Sequence, residues 1–118
     1  HLDYIFRYGP GPKKECEINV SRYMDVIEAI LKEIINAGKG IEINTGSVYR
    51  GMDYAHPHIE ILKLYKELGG EILTFGSDTH DSIHLAYDFD RAAELAKSLG
   101  FRYYCTFRNL KPDYHSFK

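Results

Sequence analysis

With 118 residues the chain can bury one real core but is short for most complete enzymes. It is 44% hydrophobic and 27% charged, an ordinary globular composition, and its net charge of −2 gives no electrostatic handle on nucleic acid or an anionic membrane. No apolar run approaches a membrane span, and the two cysteines, Cys16 and Cys105, share no finger or CxxC spacing, so a disulfide framework is not expected and the cytoplasm is the default compartment.

The chain opens at His1 without a methionine, a signal pattern or a lead-in segment. That reads as a fragment, by truncation or proteolysis, of a longer protein. The first periodic segment, residues 21–37, puts Met24, Ile27, Ile30, Leu31, Ile34 and Ile35 on one helical stripe, with Ser21 as N-cap and Gly38 as stop. A strand over Gly40–Thr45 follows, with Ile41 and Ile43 facing one way and Glu42 and Asn44 the other.

Gly46–Gly51 reads as a loop carrying Arg50. Pro57 opens a second helix with Ile61, Leu62, Leu64, Tyr65 and Leu68, closed by Gly69-Gly70. Ile72–Phe75 is an apolar run suited to a strand covered on both faces. A third helix, Asp90–Leu99, presents Ala92, Ala93, Leu95, Ala96 and Leu99, and Tyr103–Phe107 is the last strand, followed by an irregular tail containing Pro112. Strands alternating with helices at this spacing predict parallel βαβ units in an α/β fold, either a small doubly wound sheet or an arc of a barrel. A complete (β/α)8 barrel needs about 250 residues.

In both parallel architectures functional groups gather beyond the C-terminal ends of strands. Three polar clusters meet that rule: His1-Leu2-Asp3, Glu42 to Thr45, and Gly76 to Asp81. Asp78 and His80, two apart, point to one side if strand geometry persists, and a carboxylate with an imidazole can bind zinc, manganese or iron. The plainer alternative is a loop whose Asp78 caps the next helix and whose His80 is solvated. Glu42 and Asn44 either line a barrel interior or face solvent on an edge strand. Arg50 and Arg7 either grip a phosphate through paired hydrogen bonds or are surface cations. His56 and His58 flank Pro57 and suit capping or surface roles, and they are set aside with His84 and His115.

Taken together, HLDYIFRYG, GIEINTGSVYRG and HPHIEILKLYKELGGEILTFGSDTHDSIHLAYDFDRAAELAKSLGFRYYCTF, in that order, resemble the later half of a histidinol-phosphatase of the PHP (polymerase and histidinol phosphatase) superfamily. The resemblance covers nearly the whole chain. It implies the C-terminal part of a distorted (β/α)7 barrel, with about three divalent metals near the strand C-termini of the intact enzyme. It also implies phosphate monoester hydrolysis, most specifically of histidinol phosphate in histidine biosynthesis. Matched by motif, His1, Asp78 and His80 are metal ligands, Glu42 and Asn44 line the site, and Arg50, more weakly Arg7, sits near the substrate phosphate. The implied chemistry is attack of water on phosphorus, with metals lowering the water's pKa and His80 assisting proton transfer to the leaving alkoxide.

The family's opening HxH motif, second histidine motif and middle acidic ligand have no counterpart here. The expectation is therefore that residues 1–118 form a single partial domain, inactive alone, and held together by a missing N-terminal half or by self-association. Two readings stand beside this one. A PHP phosphoesterase of another substrate would be told apart by a panel of phosphate esters. A non-catalytic α/β interaction module would keep its partner after Asp78→Ala/His80→Ala.

Overall fold

The computed structural model describes residues 1–7 and 20–117; the side chains of Phe6 and Arg7 lie outside that description. The element order is a 3-10 turn at Tyr4–Arg7, another at Val20–Tyr23, helix α1 (Met24–Asn36), strand β1 (Ile41–Asn44), a one-turn helix α2 (Gly46–Tyr49), α3 (Ile59–Glu67), β2 (Leu73–Gly76), α4 (Phe89–Ser98), β3 (Tyr103–Arg108) and β4 (Lys111–Ser116). Two strands, β1 and β2, pair in parallel with Ile43 opposite Phe75 and Asn44 opposite Gly76. The α3 crossover between them makes the expected βαβ unit. No helix among the described residues is long and apolar enough to cross a membrane.

Alternation of apolar residues explains the core. Ile43 and Leu73, on the paired strands, are fully buried against Leu31 of α1 and Ile61, Leu62 and Tyr65 of α3, with Ala92 and Ala96 of α4 and Phe101 closing the cluster. Each fully buried large apolar side chain contributes about 1.5–3 kcal/mol relative to exposure. Tyr65 also donates its hydroxyl hydrogen to Ile72 O at 2.9 Å, pinning the end of α3 to the entry of β2.

Several expectations are corrected. The α-helix begins at Met24 rather than after Ser21, which lies in the preceding 3-10 turn, and no side chain caps it. Ile30 is substantially exposed although it shares the stripe with buried Ile27 and Leu31. Pro57 precedes α3 by two residues, and the N-cap is His58, whose Nδ1 accepts from Glu60 N at 3.3 Å.

The last strand lies where expected, as β3 over Tyr103–Arg108, but the tail after it is not irregular: it is β4, paired antiparallel with β3 in a hairpin, Arg108 facing Lys111. Asn109 and Leu110 both take positive φ, 50° and 63°, the requirement of a two-residue turn whose twist matches the strands. The described residues thus contain a mixed α/β fold with one parallel pair; closure into a barrel is not part of it.

Candidate functional site

Polar groups converge where β1 and β2 end. Thr45 continues the ladder by donating its backbone N–H to Gly76 O at 2.8 Å, then the chain turns into α2. Gly46 leaves no room for a side chain: a Cβ there would lie 2.6 Å from Arg50 Nη1 and 2.8 Å from Ser77 O. The segment expected as a loop is instead a helical turn, and Arg50 at its C-cap folds back over the strand ends. Its Nη1 donates to Gly46 O at 3.0 Å and to Asp78 Oδ2 at 3.2 Å, while Nη2 donates to Asp78 O at 3.0 Å.

Asp78 does not continue strand geometry. Its φ is 47°, in the left-handed region that aspartate tolerates better than most residues. Its carbonyl oxygen accepts from Arg50 Nη2, from Tyr49 Oη–H at 3.0 Å and from His80 Nδ1 at 3.0 Å. Those contacts hold an otherwise unfavourable backbone conformation in place. A carbonyl cannot donate, so His80 carries its proton on Nδ1, and Nε2 keeps a lone pair in the neutral ring.

His1 closes the other side, with Nε2 3.8 Å from Asp78 Oδ2. Asn44 is buried and its amide is used at both ends: Nδ2 donates to Glu42 Oε1 at 2.8 Å and Oδ1 accepts from Gly46 N at 3.0 Å. Glu42 in turn lies over Gly76, where a Cβ would come within 2.5 Å of its carboxylate. At the outer rim His84 stacks on Tyr49, ring centroids 4.2 Å apart, and its Nδ1 lies 2.9 Å from the Asp81 carboxylate. That hydrogen bond is the main reason the Asp81 carboxyl titrates below its ordinary value.

The structure therefore brings His1, Arg50, Asp78 and His80 into one cluster and sets Glu42 and Asn44 beside it. Arg7 lies on the first 3-10 turn, and its side chain is outside the described residues. Tyr49 was not singled out in the sequence; its neighbour Arg50 in GSVYRG was the nearest signal. Asp3 and His56, also passed over, are both buried and hydrogen-bonded to each other at 2.8 Å. The surface or capping role expected of His56 is corrected by that burial.

An imidazole nitrogen and a carboxylate oxygen sharing one zinc stand about 3.4 Å apart. The His1–Asp78 pair, at 3.8 Å, is close to that separation. Two donors do not complete a shell, and no group of three or more His, Cys, Asp or Glu able to hold a metal occurs among the described residues. The donor set fits part of a metal centre whose remaining ligands would come from outside those residues.

A guanidinium beside carboxylate and imidazole donors, past the C-terminal ends of parallel strands, has the make-up of a phosphoester-binding site. The chain is homologous to the C-terminal part of histidinol-phosphatases. It is 31% identical over 113 residues to the histidinol-phosphatase of Lactococcus lactis, covering 96% of this chain and 41% of that protein. With the probable histidinol-phosphatases of Thermotoga maritima and Clostridium acetobutylicum it shares 32% and 33% identity over 87% and 86% of its length, matching 41% and 39% of theirs. The crystal structure of the Lactococcus lactis histidinol phosphate phosphatase, complexed with zinc, L-histidinol and phosphate, superposes with a TM-score of 0.68 at 28% identity, over 96% of this chain and 42% of that one. The chain thus spans about two-fifths of the length of the relatives it matches. No protein-family profile matches it.

Proposed function

We propose that the chain is part of a metal-dependent phosphatase that hydrolyses a phosphate monoester, histidinol phosphate first among candidates, to alcohol and phosphate. The observation that carries this reading is the clamp of Arg50 on Asp78 with His1 beside it, at the C-terminal ends of two parallel strands. The relative solved with zinc, L-histidinol and phosphate supports both the metal and the substrate class.

His1 and Asp78 would hold divalent metal, zinc by that likeness or manganese or iron by ligand type, and His80 would either join them through Nε2 or keep that nitrogen for proton transfer, since its one lone pair serves a single role. Bound there, the metal would lower the pKa of water and neutralise phosphoryl oxygens. Arg50, whose fork is held on Asp78 at the strand ends, places its positive charge beside the phosphoryl group, with Arg7 as a second cation. Asn44 fixes Glu42 at the wall of the site. With His80 Nε2 outside the metal shell, its lone pair, set by the Nδ1 hydrogen bond to Asp78 O, takes a proton from water and gives it to the leaving alkoxide.

The described residues lack a full ligand set, so on this reading the chain is inactive without the rest of a distorted (β/α)7 barrel. Exposed Ile5, Val26 and Ile30 form an apolar face suited to that missing part or to self-association. Phosphate release by the full-length protein from histidinol phosphate, set against a panel of other phosphate monoesters, tests the assignment. Release from histidinol phosphate above the panel supports it. Faster turnover of another ester would move the protein to a different phosphoesterase, and no release from any would remove the enzymatic reading.

A further inference from the structure

We infer that His56, acting through Asp3, is a positioning residue that sets His1 in the site. It rests on the proposed phosphatase only for the role of His1. Asp3 and His56 are each 1% exposed and lie 53 positions apart in sequence. Asp3 Oδ1 accepts from His56 Nδ1 at 2.8 Å, and Oδ2 accepts from the backbone N–H of His58 at 2.8 Å. Both carboxylate oxygens are therefore engaged, in an interior where such charge-assisted bonds hold geometry firmly.

The rest of His56 argues against a role in packing alone. Its Nε2 is buried with no hydrogen-bond partner among the described residues. An unpaired buried nitrogen is unfavourable, and a phenyl ring would fill similar space without one. What the imidazole supplies and phenyl cannot is the Nδ1–H that holds Asp3.

Asp3 is two residues from His1 and in the same turn, closed by Tyr4 N donating to His1 O at 3.1 Å. On its other side His56 is tied by backbone to the end of β1: Asn44 N donates to His56 O at 2.6 Å and His56 N to Asn44 O at 2.9 Å. The chain of contacts runs from β1, through His56 and Asp3, to the imidazole that stands 3.8 Å from Asp78. Groups hydrogen-bonded behind metal ligands orient them, and their loss typically weakens metal binding about 10- to 100-fold; here the same constraint reaches His1 through the turn it shares with Asp3.

Zinc affinity of the metal-stripped full-length protein, measured by competition with a chromophoric chelator, decides the matter, with the melting temperature of each metal-free variant recorded alongside. His56→Phe keeps the ring and removes the donor, whereas His56→Asn places an amide N–H where Nδ1 stood. The expected result is zinc binding weakened about 10- to 100-fold in His56→Phe and largely restored in His56→Asn. Wild-type affinity in His56→Phe, or equal loss in both variants, overturns the inference. Should His56→Phe fail to fold, Asp3→Asn, which leaves one of the two donors unmatched, gives the same readout: weakened zinc binding supports the inference and wild-type affinity overturns it. If the wild-type protein takes up neither zinc nor manganese nor iron, the metal-dependent phosphatase reading falls. The clamp is then judged by hydrogen exchange at the Tyr4 amide, where faster exchange in His56→Phe than in His56→Asn sustains it and equal exchange overturns it.

Discussion

The guanidinium of Arg50 holds Asp78 at two points, its carboxylate at 3.2 Å and its own carbonyl oxygen at 3.0 Å. The pair is only partly exposed, so bulk screening does not erase it. Lysine could satisfy one of these acceptors but not both. Arg50→Lys is expected to lower kcat/KM of the full-length protein about 10- to 100-fold, the size of one charge-assisted hydrogen bond. Steady-state kinetics on histidinol phosphate checks this, and unchanged kcat/KM would remove Arg50 from the site.

His80 is expected to matter for proton transfer more than for folding, because its side chain is exposed and bonded only locally to Asp78 O. His80→Asn keeps a donor near the Nδ1 position and loses the Nε2 lone pair. A fall in kcat of about 10²- to 10⁴-fold, with bound zinc and a melting temperature close to wild type, is the predicted outcome; loss of zinc with the activity would make His80 a ligand instead. Turnover near wild type would give the proton-transfer role to another group.

Tyr65 makes stability depend on pH. Burial pushes its phenol up from 10.0 to about 12, because ionising the hydroxyl in the core is unfavourable. Between those values the unfolded chain loses the proton while the folded chain keeps it. The folded state then binds more protons, so stability is full below about pH 10 and falls as pH rises toward 12, by on the order of 2–3 kcal/mol. Tyr65→Phe should lose about 1 kcal/mol at neutral pH with the hydrogen bond to Ile72 O, and should unfold with a shallower alkaline slope. Denaturant melts at pH 8 and pH 11 read both effects, and identical slopes would contradict the assignment.

The hairpin turn offers a gain. Leu110 has φ 63° and is almost entirely exposed, so it carries left-handed strain with little packing in return. Leu110→Gly makes the favoured Asn-Gly turn and is expected to stabilise the chain by about 0.5–1 kcal/mol. A lower melting temperature would count against the turn geometry.

What the sequence made legible follows from how each feature is encoded. Ile27, Leu31, Ile61, Leu62, Ala92 and Ala96 repeat at helical spacing, so the faces of α1, α3 and α4 could be read directly. The polar ends of β1 and β2 were legible because parallel sheets concentrate function there. The hairpin was missed because Asn109-Leu110 has no glycine, and the left-handed pair is imposed by strand pairing rather than by composition. Arg50 was expected in a loop because four residues carry too short a pattern to announce α2; the close packing of Gly46 against Arg50 and Ser77 becomes visible only in three dimensions. Asp3 and His56 escaped for a related reason, since no local rule links residues 53 apart.

The most direct test of the account is phosphate release from histidinol phosphate by the full-length protein, assayed after zinc reconstitution, after chelation, and in Asp78→Asn. The expected result is turnover with bound zinc in the wild type, loss of activity on chelation with recovery on metal return, and loss of both zinc and turnover in Asp78→Asn. Full activity in the chelated protein, or an Asp78→Asn variant that binds zinc and turns over as the wild type does, would contradict it.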